Sequence, residues 1–168
     1  MKKYLAIILT VVLILSALPM SVMANTSGNY TYEVISETEK TCVITKYTGN
    51  TRNLVIPSSL DGYKVTEIGE YAFFDRDVSV GNKDLRSVEI PATVKKIGKF
   101  AFNACSGLNT VVLPEGIEII EEGAFFNCSN LATINFPDSI TYIGRNVLHD
   151  TKIMPLLEQY EREDPMLP

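Results

Sequence analysis

Residues 85–108 read LRSVEIPATVKKIGKFAFNACSGL, and residues 108–131 repeat the phrase as LNTVVLPEGIEIIEEGAFFNCSNL. A third copy begins at Leu131, keeps the first half of the pattern and then departs from it. One proline follows the first strand-like segment of each copy, and the prolines are spaced by 23 residues: Pro91, Pro114 and Pro137. A fixed period of this length is typical of a solenoid, in which each unit has too little core to fold alone and is stabilised by its neighbours.

Each unit is predicted to supply a short strand and then to close on a shared core. The period of two in Leu85-x-x-Val88-x-Ile90 points Val88 and Ile90 inward. The proline that follows ends the strand because it lacks a backbone donor. The Ile-Gly pair further on is expected to place a glycine at a positive φ or a tight bend. The Ala-Phe pair closes the coil, and one residue per coil is expected to stack into an aromatic spine that a leucine continues: Phe73, Phe102, Phe125 and Leu148.

Residues 1–24 have the features of a secretory signal peptide. Lys2 and Lys3 precede an uncharged apolar run, and Val22-Met23-Ala24 has the small-x-small pattern of a cleavage site. An uncleaved membrane anchor is the alternative, because the apolar run is close to the shortest length that spans a bilayer. Cleavage would change the formal charge from -5 to -7 by removing two lysines. An acidic chain repels phosphate backbones, so no nucleic-acid partner is predicted.

The rest of the chain divides into three parts by its patterning. Residues 25–53 contain two strand-like segments, Tyr30 to Ile35 and Thr41 to Tyr47, and predict an N-terminal β-hairpin cap. Residues 54–153 are predicted to form the solenoid, and residues 154–168 a C-terminal tail with a short helix over Met154 to Tyr160. The first repeat carries two insertions, at Ser59 to Tyr63 and at Asp75 to Asp84, which are expected to form surface loops.

The chain has three cysteines, of which Cys105 and Cys128 occupy the same repeat position. In a stack they would be neighbours roughly 5 Å apart. That separation permits a disulfide, but parallel Cβ vectors do not favour its dihedral angle. Because free cysteine packs well as a small apolar residue, buried thiols are predicted and a Cys105–Cys128 bridge is the alternative.

The repeated motif resembles that of the BspA-type leucine-rich repeat family of bacterial surface and secreted proteins. Its units read Ile-Pro-x-x-Val-x-x-Ile-Gly-x-x-Ala-Phe-x-x-Cys-x-x-Leu. Ile90 to Leu108 matches at every key position, Leu113 to Leu131 matches with Gly123 displaced, and Phe136 to Leu148 matches in its first half only. The resemblance extends over about Tyr30 to Ile153. It implies a right-handed β-rich solenoid and a role in adhesion or protein binding at the cell exterior, without catalytic residues.

Enzyme, metal and carbohydrate functions find little support in the sequence. His149 is the single histidine, and a stacked coil offers no cleft for a nucleophile-histidine-acid site, so no catalytic residue or cofactor is predicted. Asp75-x-Asp77-x-Ser79 resembles the opening of a calcium loop, but Val80 and Arg86 stand where a glycine and a bidentate glutamate are required, so no metal site is predicted. The absence of Trp argues against a carbohydrate site, although eight Tyr leave that alternative open.

The outward positions of the main strands form the candidate site. Alternation predicts one row of Asn53, Ser87, Thr110 and Thr133, and a second row of Val55, Glu89, Val112 and Asn135. Solenoids bind partners through such extended faces, although short Thr and Val residues are also simply favourable on an exposed sheet. The candidate partner-binding residues are six from the rows and two from the inserted loop: Ser87, Glu89, Thr110, Val112, Thr133, Asn135, Asp75 and Asp77.

The function predicted is that of a secreted or cell-surface protein that binds another extracellular protein and has no membrane association once the signal peptide is removed. The alternative is a structural spacer of a larger secreted or surface assembly, with no dedicated ligand. The identity of the partner and the mode of surface retention, including any continuation of the chain, stay open at this stage.

Overall fold

The computed structural model describes residues 24–154, which form a β-solenoid. The signal-peptide assignment therefore falls, apart from Ala24, outside the described residues, and so does the helix expected in the tail beyond Met154. The strands in chain order are β1 (Asn25–Ser27), β2 (Tyr30–Ser36), β3 (Thr41–Tyr47), β4 (Asn53–Val55), β5 (Ser59–Leu60), β6 (Tyr63–Ile68), β7 (Phe74–Asp75), β8 (Val80–Gly81), β9 (Ser87–Glu89), β10 (Lys96–Ile97), β11 (Thr110–Val112), β12 (Ile119–Ile120), β13 (Thr133–Ile134) and β14 (Tyr142–Ile143).

Two sheets face each other across the core, and each of four coils contributes one strand to each sheet. The first sheet has the order β1-β2-β3-β6-β10-β12-β14, with β5 paired to β6, and the second has the order β4-β9-β11-β13. The strands that successive coils contribute are parallel. Lys96 pairs with Ile119, which lies 23 residues further along the chain, so one sequence period corresponds to one coil of the solenoid. The predicted solenoid is confirmed.

The aromatic spine predicted from the Ala-Phe pairs runs through the centre of the stack. The ring centroids of Phe73 and Phe102 are 4.4 Å apart, and those of Phe102 and Phe125 are 5.3 Å apart, with both pairs stacked. Tyr47 of the hairpin extends the spine by packing 5.1 Å from Phe73, and Leu148 is buried at its other end. Large rings that overlap in this way bind neighbouring coils together through burial and stacking.

The role expected for the glycine of the Ile-Gly pair is wrong in one respect. None of these glycines has a positive φ; instead, a Cβ at Gly98 would lie 2.9 Å from the backbone nitrogen of Glu70 in the preceding coil. Glycine therefore permits close approach of two backbones. The left-handed conformation falls two residues later, at Gly123 (φ 61°) and at Phe100 (φ 51°). This explains the displaced glycine of the second full copy, which occupies the left-handed position of its coil.

The N-terminal segment forms the hairpin that its sequence predicts. Strands β2 and β3 are antiparallel, and β3 pairs in parallel with β6 of the first coil. The insertion at Ser59 to Tyr63 lies against this hairpin, because the carboxylate of Asp61 accepts hydrogen bonds of 2.9 Å from both Ser27 and Tyr32. Burial and the bond to Asp61 raise the pKa of Tyr32 to about 12. The capping function of the hairpin stays a prediction.

All three thiols are free and buried, as the repeat position of two of them predicts. The Cys105 thiol donates to the carbonyl of Phe73 at 3.6 Å, and the Cys128 thiol donates to that of Phe102 at 3.1 Å. Burial raises the pKa of Cys128 to about 12 and that of Cys42 to about 11, and it raises the pKa of Cys105 strongly. These thiols are consequently poor nucleophiles at neutral pH.

The second insertion folds as the small antiparallel pair β7–β8 and then rejoins the stack. Gly81 of β8 lies against the backbone of Asn103 and Ala104, and Asn82 donates to the carbonyl of Gly49 at 2.9 Å. No helix within residues 24–154 is long and apolar enough to cross a membrane.

Candidate interaction surface

The outer surface of the second sheet, formed by the outward residues of β4, β9, β11 and β13, is called the second-sheet face. Its first row is in register from Asn53 to Ser87, from Ser87 to Thr110 and from Thr110 to Thr133. Its second row joins Val55, Glu89 and Val112, and Asn135 follows the end of β13. Alternation along each strand points Leu54, Val88 and Val111 into the core and leaves these rows outside. The structure thus brings together the six row residues assigned from the sequence.

Several polar side chains of the second-sheet face bond within the protein. Ser87 donates to the side chain of Asn53 at 2.9 Å, and Thr110 donates to that of Asn109 at 3.1 Å. Asn135 has a different role, because its amide accepts from the backbone nitrogen of Leu113 at 2.7 Å and donates to the carbonyl of Leu113 at 2.8 Å. In the last coil, the side chain of Asn135 therefore makes the hydrogen bonds to Leu113 that the backbone of a further strand residue would otherwise make.

Two valines on the second-sheet face are unusually open to solvent. Val55 is 66% exposed and Val112 is 48% exposed, and Glu89 lies between them in the ladder. With Thr110 and Thr133 alongside, the face presents methyl groups and short hydroxyls around one carboxylate. Such a surface can lose its water at a lower cost than a charged one.

The outer surface of the first sheet has the opposite character. The ammonium of Lys96 lies 3.3 Å from the carboxylate of Glu121 and 3.9 Å from that of Glu67, so it links three coils. Lys95 and Glu118 form a further pair at 3.5 Å. The sequence reasoning did not find this charged ladder, although the register of β6, β10 and β12 would have placed these residues together.

The structure does not bring the two loop carboxylates to the second-sheet face. Asp75 lies 3.9 Å from the ammonium of Lys46 on β3, and it accepts a hydrogen bond of 2.9 Å from the backbone of Asp77. Asp77 borders a hollow of about 400 Å³ whose lining includes Tyr71 and Arg76. Among the described residues, the polar contacts of the two aspartates are made with Lys46 and within the loop. The loop is therefore a separate surface.

An external aromatic stripe runs beside this loop and was missed by the sequence reasoning. Tyr71 stacks on Phe100 at 5.3 Å, Phe100 meets the edge of Phe126 at 6.2 Å, and Phe126 stacks on His149 at 5.3 Å. The guanidinium of Arg76 lies 4.1 Å from the centre of the Tyr71 ring. The stripe changes repeat position between Phe100 and Phe126, so no single column of the aligned copies shows it. The sequence did contain one signal of this stripe, because His149 lies 23 residues after Phe126 and therefore occupies the same repeat position.

One histidine lies among the titratable groups of the described residues. His149 is exposed and has Asp150 as its neighbour at 3.6 Å. Within residues 24–154, no cluster of three His, Cys, Asp or Glu side chains is placed to hold a metal ion.

Comparison with known proteins places the repeats in a described family. A model of the BspA type leucine-rich repeat region matches residues 44–156 in six copies. The structure is similar to a crystal structure of a leucine-rich repeat protein from T. pallidum, at 27% identity and a TM-score of 0.63, covering 76% of this chain and 67% of that one. A leucine-rich repeat protein from Bacteroides capillosus is 29% identical with a TM-score of 0.64, covering 77% of this chain and 92% of that chain.

A longer similar structure is a leucine-rich cell surface protein from Faecalibacterium prausnitzii, at 34% identity and a TM-score of 0.63. The match covers 77% of this chain and 35% of that protein, so the present chain corresponds to about a third of its length. No curated protein matches the chain.

Proposed function

Because this chain belongs to the BspA-type leucine-rich repeat family, we propose that it is an exported, non-enzymatic module that binds another extracellular protein through the second-sheet face. The family is one of bacterial repeat proteins, and a similar structure is that of a cell surface protein. Export rests on the signal-peptide pattern of residues 1–24. Export and the binding of an extracellular protein together imply adhesion at the cell exterior as the biological role.

The contrast between the two sheets is the observation that carries this proposal. Of the eight row positions on the second-sheet face, only Glu89 is charged, whereas the first sheet is crossed by the ladder of Lys96, Glu67 and Glu121. The cores of protein interfaces are depleted in charged residues because paired charges must be desolvated. A partner protein therefore gains more by covering Val55 and Val112 than by covering the ladder.

The size of the second-sheet face limits the affinity that it can provide. Three residues along a strand and three steps between strands give roughly 10 Å by 14 Å in projection. A stable interface buries about 800 Å² on each partner, which is several times this area. The partner must therefore also contact neighbouring turns, or bind weakly and in several copies. Asp75 and Asp77 lie on the separate loop surface, so reversing their charge should affect the association rate of a charged partner more than its affinity for the second-sheet face.

Site-specific photocrosslinking tests the proposal. A photoreactive amino acid is placed at Glu89 or Val112 on the second-sheet face, and at Glu118 on the first sheet as the matched exposed control. Each protein is irradiated with intact cells, and the linked species are identified by mass spectrometry. We expect one protein to be captured from the two face positions and not from Glu118. Equal capture from all three positions, or capture from Glu118 alone, would place binding elsewhere.

A spacer without a dedicated ligand is the second candidate function. It is favoured by the internal bonding of the second-sheet face, where Ser87, Thr110 and Asn135 use their polar groups within the stack. A surface whose polar groups are already paired gains less from a ligand. This function predicts no position-dependent crosslink at all, together with unchanged behaviour of face variants in any binding assay.

A further inference from the structure

A polar hollow of about 510 Å³ lies where strands β9 and β11 begin. Arg86 and Asn109 line this hollow, and each immediately precedes the first-row residue of its strand, which is Ser87 or Thr110. The other residues of its lining belong to the turns before β9, β11 and β13: Lys83, Ser106, Gly107 and Asn130. The hollow therefore adjoins the second-sheet face, and its volume is in the range of about 300–1,000 Å³ that ligand pockets have.

The hollow concentrates positive charge in an acidic chain of net charge -5. Lys83 and Arg86 make no ion pair with a carboxylate of residues 24–154, whereas the charged ladder of the first sheet is paired within the protein. Arg52, whose carbonyl accepts from the backbone nitrogen of Arg86 at 2.6 Å, is a third cation at the same repeat position one coil earlier. Asp84 is exposed and does not line the hollow. Such a cluster of cations attracts an anion.

The guanidinium of Arg86 is positioned by the turn before it. Its Nη1 donates to the carbonyl of Lys83 at 2.7 Å and to that of Leu85 at 3.5 Å. Gly107 provides the space for this arrangement, because a Cβ at that position would overlap with Nη1 and with the carbonyl of Lys83. Among the described residues, Nε and Nη2 of this guanidinium have no acceptor. A fixed guanidinium with unused donors suits a planar carboxylate, which it can bind through two parallel hydrogen bonds.

Asparagine side chains hold another wall of the hollow. The amide of Asn130 donates to the carbonyl of Ser106 at 2.6 Å, and the amide of Asn109 donates to the carbonyl of Asn130 at 3.2 Å. Side chains held in this way lose little freedom when a ligand binds. The hydroxyl of Ser106 and the amide oxygen of Asn130 bond to no other described residue, so they can accept from an N–H group beside a carboxylate. An acidic residue in a peptide carries both groups, and the lining has no aromatic ring on which a sugar would stack.

We propose that the hollow binds an aspartate or glutamate side chain of the partner protein that covers the second-sheet face, an inference that rests on the proposed function. Val112 lies three residues beyond Asn109 along the chain, or about 10 Å along an extended strand, so the partner presents a carboxylate at about that distance from its apolar contact. Glu89 lies equally far beyond Arg86 and repels a carboxylate placed there. Cations at one end of the strands and an anion at the other thus fix the direction in which the partner lies.

Titration of the protein with a capped tetraglutamate peptide, followed by NMR, tests the hollow without the natural partner. The backbone amide of Gly107 and the side-chain amides of Asn109 and Asn130 should shift and saturate, whereas a capped tetraglutamine peptide should not shift them. Arg86→Lys keeps the charge but loses the paired donors, so we expect it to raise the Kd for tetraglutamate at least about threefold.

Two double variants of equal net charge separate a built site from general attraction. Lys83→Glu with Arg86→Glu should raise Kd at least about tenfold, while Lys64→Glu with Lys99→Glu, at exposed positions outside the hollow, should change it by less than about twofold. Both proteins should keep the melting temperature of wild type. The inference is overturned if the two double variants weaken binding equally, if Arg86→Lys binds as wild type does, or if tetraglutamate gives no saturable shift. Glucuronate that binds here more tightly than tetraglutamate would assign the hollow to an acidic sugar and overturn it as well.

The partner captured by photocrosslinking at Val112 distinguishes this inference from the proposed function. The Kd of that partner should also rise at least about tenfold for Lys83→Glu with Arg86→Glu. Wild-type affinity of the partner for this double variant would overturn the inference and leave the proposed function in place. Capture of no partner would contradict the proposed function, and with it the assignment of the carboxylate to a partner protein, even where tetraglutamate binds the hollow.

Discussion

Truncation of Phe102 to alanine should remove a large part of the stability of the stack. The side chain is fully buried, and its ring lies between those of Phe73 at 4.4 Å and Phe125 at 5.3 Å. Removing a buried phenylalanine costs about 3–5 kcal/mol. Each aromatic contact contributes about 0.5–1.5 kcal/mol beyond burial, so a ring with two stacked partners belongs in the upper part of that range. A domain is stable by about 5–15 kcal/mol in total.

Equilibrium unfolding in urea, followed by circular dichroism, measures this loss, and thermal melting should show a decrease of about 10–20 °C. Phe126→Ala is the matched control, because Phe126 is half-buried on the external stripe. We expect the control to lose less than half as much stability. Hydrogen exchange should also accelerate in β4 and β11 of the two adjacent coils, because in a stacked array damage reaches the neighbouring coils.

The result for Phe102→Ala can refute the reasoning directly. A loss below about 1 kcal/mol would mean that the ring does not fill the centre of the core, since losses of that size are typical of ordinary substitutions. A loss equal to that of Phe126→Ala would mean that the internal spine and the external stripe contribute alike.

Three further predictions follow from the thiols, the coil spacing and the amino terminus. The native thiols should resist an aromatic disulfide reagent at pH 8 and react only after unfolding, and a Cys105–Cys128 link in unreduced protein would contradict the prediction of free buried thiols. The free energy of unfolding should decrease as the pH rises above about 8.5 toward the folded pKa of about 12 at Cys128, because only the unfolded thiols ionise in that range. Gly98→Ala should destabilise the protein by about 1–3 kcal/mol because its Cβ would press on the backbone of the preceding coil, whereas unchanged melting would show that the spacing adjusts. Sequencing of exported protein should begin at Asn25, and an intact Met1 on membrane-bound material would refute cleavage.

Much of the architecture could be predicted because a repeat translates sequence spacing into spatial neighbours. The 23-residue period predicted the register of Ser87, Thr110 and Thr133, which the parallel ladder confirms. The same argument predicted the stack of Phe102 on Phe125. Such contacts need only the repeat position, because equivalent residues in neighbouring coils lie one strand spacing apart.

Features that depend on differences between coils could not be predicted in the same way. The external stripe moves from the repeat position of Phe100 to that of Phe126, and the direction of the inserted loop depends on contacts such as that of Asp75 with Lys46. Predicting the pairing of Lys96 with both Glu67 and Glu121 required the positions of β10 and β12, and each of these strands has only two residues. Insertions and two-residue strands carry too little periodic signal to fix a direction.

The affinity of the crosslinked partner for two matched variants tests the central claim most directly. Thr110→Arg places a long cation on the second-sheet face, and Thr141→Arg makes the same change at an exposed position beside β14 of the first sheet. If the second-sheet face is the binding surface, Thr110→Arg should raise Kd at least about tenfold, or about 1.4 kcal/mol, while Thr141→Arg leaves it within about twofold and both proteins keep the melting temperature of wild type. Wild-type affinity in Thr110→Arg, or an equal loss in both variants, would contradict the account.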